Sequence, residues 1–290
     1  MNSILRYSNR GEWGNSSYRG NCTGHIILDL LNQFKPQKFV EVFSGGGTGQ
    51  DVAQSIGITN SVHLDLNNGW DAMTDEIPVS SDFTFSHPPY WDIIAYGSQR
   101  ETGHHQNDLS NKMEYTEFIN KLDMVNERIY HNLTNGGRHA LMIGDVRKCG
   151  KYYSPIKDLT WFGDLEAHLI KEQDNPRSSH KIYRGNFIPI SHEHILVFRK
   201  DQVWFVPIKY TKDFIRDLRS MVNVTWKNLV QAAIEHLGGE APLNAIYSVL
   251  DGCKKGENNS HVKEKIRQTL YQYQTFEKGE NDSWFVNLQV

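Results

Sequence analysis

Ser86-His87-Pro88-Pro89-Tyr90-Trp91 is the stretch whose residue types most plainly invite chemistry. Two consecutive prolines fix the backbone direction twice over. Two aromatic rings follow and a histidine leads, so the corner is stiff and offers flat faces for stacking. A second cluster lies upstream, in VEVFSGGGTG, where Gly45, Gly46, Gly47 and Gly49 follow an apolar run and precede an amphipathic one. Glycines at such a junction let the chain turn tightly and approach a ligand closely. Asp65, near the end of the next apolar run SVHLDL, carries a carboxylate suited to ribose hydroxyls. No Lys-Ser/Thr pair follows the glycines, which excludes a Walker phosphate loop, and the regular dinucleotide spacing is absent. Glu41 in the preceding run would repel phosphate, so a nucleoside without phosphates fits better. On these residues alone a flexible glycine turn and a solvated Asp65 are the other reading.

The elements that must position these groups alternate. HIILDLLNQF places Ile26, Ile27, Leu30, Leu31 and Phe34 at helical spacing and stops before Pro36. KFVEVF reads as a strand, GQDVAQSIGI as a helix, SVHLDL and DFTFS as strands. A long helix, EYTEFINKLDMVNERIYHNL, leads through the turn TNGG to the strand RHALMIGDV. NFIPISHEHILVFRK reads as two strands separated by SHEH, a closing hairpin. Strands and helices in alternation argue for an α/β fold, a mostly parallel sheet covered on both faces, with an antiparallel hairpin at one edge. We expect this domain over residues 1–200, a connector over 201–223 and a separate unit over 224–290. That last unit has a helix capped by Thr225, a helix opening with Pro242, a helix capped by Ser260 and a two-stranded wing, a pattern that suggests a winged helix.

At FSHPPYW the chain resembles the S-adenosylmethionine-dependent amino-methyltransferases of DNA. Their catalytic signature is (Asp/Asn/Ser)-Pro-Pro-(Tyr/Phe/Trp) at a strand end, and their cofactor loop is similar to FSGGGTG. The likeness covers roughly residues 10 to 200 and implies a Rossmann-like, seven-stranded methyltransferase sheet. An exocyclic base amine is a poor nucleophile, because its lone pair is delocalised into the ring. Two acceptors that take its protons localise that pair. The resemblance implies that the side chain opening the motif, here His87, is one acceptor and the Pro88 carbonyl the other. Pro89 completes the rigid step, and Tyr90 would stack on a base flipped out of the duplex. His87 departs from the family pattern. A neutral imidazole has one acceptor nitrogen and a protonated one has none, so His87 accepts from the amine, only orients the base, or marks a protein that binds without catalysing. The family's cofactor contacts map onto Asn21, Thr23 and Gly24 in YRGNCTG, and onto Glu41, Phe43, Gly45, Gly47, Thr48 and Asp65.

The expected activity is methylation of the adenine exocyclic amine in double-stranded DNA. Cytosine, an RNA base, and a catalytically silent DNA-binding regulator that keeps the cofactor are the alternatives. Net charge is −3, so binding to a polyanion must come from local patches. Candidates are Trp91 beside the catalytic corner, Arg147, then Lys181 and Arg184 in the basic-aromatic stretch NPRSSHKIYRGN. Lys263, Lys265 and Arg267 lie on the third helix of the C-terminal unit, which resembles winged-helix modules of restriction and modification proteins. The long polar stretch 92–111 reads either as a flap over the site or as a solvated insertion. The three cysteines are widely separated, and we expect neither a disulfide framework nor a metal. No membrane span and no signal-peptide pattern is evident, from which a cytoplasmic location is expected. A homodimer and a restriction-system partner are both left open.

Overall fold

The computed structural model describes residues 1–100, 103–173, 188–204, 206–209, 211, 217–222 and 224–286. The chain divides into two compact units, Met1–Lys212 and Asp213–Val290.

The first unit is built on a seven-stranded sheet. Its strands are β1 (Ile4–Leu5), β2 (Phe39–Val42), β3 (Ser61–Leu64), β4 (Ser81–Ser86), β5 (Leu133–Ile143), β6 (Asp164–Glu172) and β7 (His192–Arg199), in spatial order β1-β6-β7-β5-β4-β2-β3. Pairs β2/β3, β2/β4, β4/β5 and β1/β6 are parallel, whereas β7 is antiparallel to both β5 and β6. The sheet is Rossmann-like and mostly parallel, as the alternating pattern requires.

Helix α1 (Gly24–Phe34) starts where the Thr23 side chain accepts from the His25 amide, and stops at Lys35, which is left-handed just before Pro36. Its buried face, Ile26, Ile27, Leu30 and Leu31, packs with Phe39, Phe83, Phe85 and residues of α2 (Thr48–Ser55). Each such aliphatic side chain contributes about 1.5–3 kcal/mol through burial. On the opposite face Val40 and Val42 pack with Val125 and Ile129 of α3 (Tyr115–Asn132). Alternate residues of β2 thus serve opposite layers, which is why the strand is apolar on both faces apart from the buried Glu41.

Two local expectations are revised, and one strand was not expected. The run SHEH is no turn: its histidines lie within β7, whose hairpin partner is the upstream β6. TNGG belongs to β5, with a register shift against β4 between Ser81 and Phe83. The edge strand β1, Ile4–Leu5, lies in a part of the chain for which no element was expected. It is too short for any periodicity to reveal it.

The second unit holds α4 (Trp226–His236), α5 (Leu243–Leu250) and α6 (Val262–Gln272). A three-stranded antiparallel sheet accompanies them, made of β8 (Glu240–Pro242), β9 (Phe276–Lys278) and β10 (Ser283–Val286), with β10 in the middle. Thr225 caps α4 by accepting from the Asn228 amide at 3.1 Å. The residue at the start of α6 is His261, not Ser260, and it makes no side-chain cap. The strand β8 adds to the expected two-stranded wing. Val230, Ile234, Ile246, Ile266, Leu270 and Trp284 form its core. Among the described residues no helix is long and apolar enough to cross a membrane.

Candidate active site

Register explains the site. Val42 at the end of β2 lies beside both Leu64 of β3 and Ser86 of β4. Neighbouring strands are about 4.8 Å apart. The glycine loop, Asp65 and the diproline corner therefore leave the carboxyl edge of the sheet side by side, where open parallel sheets bind ligands. The His87 amide donates back to the Val42 carbonyl at 3.3 Å, and the Phe43 amide to Leu64 at 2.9 Å. All three corners line one cleft with about 770 Å³ of empty space, continuous with solvent.

The glycine loop turns through left-handed Phe43 (φ 65), Gly45 (φ 50) and Gly47 (φ 82). A non-glycine residue such as Phe43 in that region stores about 1–3 kcal/mol of strain. Asp65 holds the loop, with Oδ2 accepting from the Gly45 amide at 3.0 Å and Oδ1 from the Asn67 amide at 2.8 Å. Each oxygen keeps a lone pair for a further donor. Burial raises the Asp65 pKa, and those two amides partly offset it. Asn21 braces the loop from the other side, its Oδ1 accepting from Gly46 at 3.2 Å. Glu41 is buried beneath, bonded to His63 Nδ1 at 2.7 Å and to the Gly49 amide, and burial raises its pKa as well.

At the diproline corner His87 Nε2 lies 2.9 Å from the Tyr90 hydroxyl. That hydroxyl donates to Glu193 Oε1 at 2.9 Å, and Lys171 donates to Glu193 Oε2 at 2.8 Å. Burial is the chief cause that lowers the His87 pKa below the ordinary imidazole value; Lys171 adds to it and Glu193 opposes it. Ser86, one residue earlier, is bonded to buried His139 at 2.7 Å.

Of the residues anticipated for cofactor and catalysis, Asn21, Glu41, Phe43, Gly45, Thr48, Asp65, His87 and Pro89 line the cleft. Thr23 and Gly24 do not: Thr23 caps α1, and the Gly24 amide donates to the Arg10 carbonyl. Gly47, Pro88 and Tyr90 also lie outside the lining. The Tyr90 ring packs against Gly144, where an added Cβ would stand 2.6 Å from it. In this arrangement Tyr90 presents its hydroxyl to a hydrogen-bonded chain and no ring face to the cleft.

Residues 92–100 and 103–111 are folded against the site. Tyr96, Arg100, Asn107, Asp108 and Leu109 line the cleft. Tyr96 stacks on Tyr18 with centroids 5.7 Å apart, Gln99 accepts from the Arg19 amide, and Asn107 donates to Asp71. Arg100 forms a buried ion pair with Asp108. Its Nε and Nη1 remain buried without a partner. The sequence signals missed here were a Tyr-Gly pair and an Arg/Asp pair eight residues apart, neither distinctive without the fold.

The anticipated DNA contacts separate. Trp91 is 6% exposed and its indole donates to the Met113 carbonyl. A ring so enclosed serves the core, which corrects its assignment to DNA. Arg147 is exposed, beside the Tyr152 ring, on a short hairpin. Lys181 and Arg184 lie outside the described residues. On α6, Lys263 and Arg267 are exposed, and Lys265 is half-buried and donates to Gln268. Among the described residues Asp145, His192 and His194 have donor atoms close enough to hold a metal. Asp145 and His194 are hydrogen-bonded to each other, Asp145 also accepts from Tyr152 and Ser154, and His194 also pairs with His168, while His192 stands edge-on to the His194 ring.

No protein-family model matches the chain, and no curated protein matches it. Solved structures do. The chain is similar to TrmN from Thermus thermophilus, at 14% identity and TM-score 0.34, over 63% of this chain and 50% of that one. It is similar to a second protein of Thermus thermophilus, which carries the name of a DNA modification methylase and was solved with S-adenosyl-L-methionine. There identity is 18% and TM-score 0.30, over 61% of this chain and 59% of that one. An rRNA methylase from Streptococcus thermophilus matches at 13% identity and TM-score 0.30, over 61% of this chain and 96% of that one. The chain thus spans about half the length of TrmN. At such scores these likenesses decide neither reaction nor substrate, and the site geometry has to.

Proposed function

We propose that this chain is an S-adenosylmethionine-dependent methyltransferase acting on the exocyclic amine of adenine in duplex DNA. One observation carries the reading: the glycine loop, Asp65 and the diproline corner open into a single cleft. The residues fit the cofactor. Asp65 keeps lone pairs for ribose hydroxyls, Phe43 and Leu66 supply apolar walls, and Asn21, Gly45 and Thr48 surround the remaining polar end. Arg100 brings buried, unpaired nitrogens to the same wall. Bound there, S-adenosylmethionine supplies an electrophilic methyl group.

The protein's own task is to hold an amine and draw on its protons. His87 and Pro89 line the cleft where a flipped base would enter. A neutral His87 offers one acceptor nitrogen, and the resemblance assigns the second acceptor to the Pro88 carbonyl. Tyr96, Arg100, Asn107, Asp108 and Leu109 close this wall of the cleft, which strengthens each polar contact inside. Duplex DNA is favoured as substrate by the exposed cationic face of α6, on a unit whose three helices and small sheet suit a winged helix.

The test is nucleoside mass spectrometry after incubating the full chain and S-adenosylmethionine with duplex DNA, and separately with RNA. N6-methyladenine in DNA is expected. Methylcytosine or a methylated RNA base would move the substrate, and no product with either polymer would overturn the reading.

A further inference from the structure

A histidine at the head of a diproline corner poses a problem of tautomers. Only one nitrogen of a neutral imidazole accepts, and in water the two forms interconvert freely. The chain resolves this through groups far away in sequence. Lys171 and Glu193 face each other across the β6/β7 pair, and their ion pair is largely buried. Burial opposes ionisation of Glu193, but Lys171, His87 and the Tyr90 hydroxyl outweigh it and bring its pKa below the ordinary value. Glu193 is therefore a carboxylate, which can only accept. The Tyr90 hydroxyl has a single proton, and it goes to Glu193. Its oxygen must then accept from His87, so Nε2 of His87 carries the proton. Nδ1 is left as the acceptor. It takes no hydrogen bond from the described residues and is not among the side-chain atoms sealed from solvent without a partner. His87 itself lines the cleft.

We propose that Glu193, anchored by Lys171, acts through Tyr90 to lock His87 as the Nε2–H tautomer, so that Nδ1 faces the substrate amine as a ready acceptor. Glu193 and Tyr90 are positioning residues in this scheme. The chemistry that the resemblance implies for the corner, an acceptor ahead of two prolines, is recovered from a residue that is only half acceptor. Tyr90 spends its hydroxyl on this lock, which explains why its ring stands against Gly144 and not in the cleft. The role for the amine rests on the methyltransferase reading; the tautomer does not.

The experiment is a two-bond proton–nitrogen NMR spectrum of the uniformly ¹⁵N-labelled full chain at neutral pH. The His87 ring signals are identified by their loss in His87→Asn. The expected result is a neutral Nε2–H ring in the wild type. In Tyr90→Phe and Glu193→Gln the same ring should shift to a mixture or to the Nδ1–H form. Both variants should lower kcat about a hundredfold, the scale of a well-placed acid–base group, while S-adenosylhomocysteine affinity stays within about twofold. A wild-type Nδ1–H ring overturns the proposal, as do unchanged tautomers in folded variants. Should either variant fail to fold, the wild-type spectrum still decides. Should no methylated base be found, the spectra still report the lock, so failure of the function and failure of the inference are told apart.

Discussion

Gly49 and Glu41 offer a sharp test of how the glycine loop is held. Gly49 lies in the first turn of α2, and a Cβ built there would stand 2.3 Å from Oε1 and 2.4 Å from Oε2 of Glu41. That carboxylate cannot swing away cheaply, being buried and held by His63 at 2.7 Å. Gly49→Ala must therefore push the carboxylate off His63 or lift the helix off the loop. Overpacking of this kind costs typically about 1–3 kcal/mol, and weakening a charge-assisted hydrogen bond adds to it. We expect a loss of about 2–3 kcal/mol, which at about 2–4 °C per kcal/mol for a unit of this size lowers Tm by about 4–12 °C. Gly47→Ala is the neighbouring control: nothing lies within 4 Å of its Cβ, and only its φ of 82° resists. It should cost about 1–2 kcal/mol. The decisive assay repeats both substitutions in a Glu41→Ala background, with stability read by thermal and urea denaturation. There Gly49→Ala should become nearly neutral, while Gly47→Ala keeps its cost. Equal losses from Gly49→Ala in both backgrounds would refute the contact as the cause.

Three further outcomes are expected. Because burial holds the His87 pKa below 6.5, the acid limb of the pH–rate profile should fall below pH 6.5, and His87→Asn should abolish that limb; a limb at or above pH 6.5, or one retained in the variant, contradicts the assignment. His139, buried against Ser86, has its pKa lowered to about 3 by burial. The unfolded chain takes up that proton near pH 6.5 and the folded chain does not, so stability should decline as pH falls from 6.5 towards 3; denaturation midpoints of His139→Gln should show a shallower decline. Asp108→Ala leaves Arg100 charged and buried beside the cleft, and removing one member of a buried pair costs about 3–5 kcal/mol. Limited proteolysis should then cut within 92–111 much faster than in the wild type, and an unchanged rate would show that the pair does not hold this stretch.

Much of the positioning was legible in local pattern. The apolar spacing of α1, the glycine run after β2 and the proline pair after β4 all announce themselves within ten residues, because helix period, turn chemistry and proline geometry are short-range effects. So is the Thr225 cap, a hydroxyl three residues from the amide it serves. The edge strand β1 was not legible: two residues carry no period, and only pairing with β6 makes them a strand. Nor was the true partner of β7, since register is decided by which faces become buried when the whole sheet assembles.

The amino-acid sequence by itself determined that a glycine corner, an acid and a diproline corner would each end a strand. Only the tertiary structure decided that these ends share one cleft, because Val42, Leu64 and Ser86 come into register through strands separated by long connections. It also decided what Tyr90 does. Its hydroxyl meets Glu193 across 103 residues of chain. A contact at that separation depends on the order of strands in a sheet, which no local pattern of residues encodes.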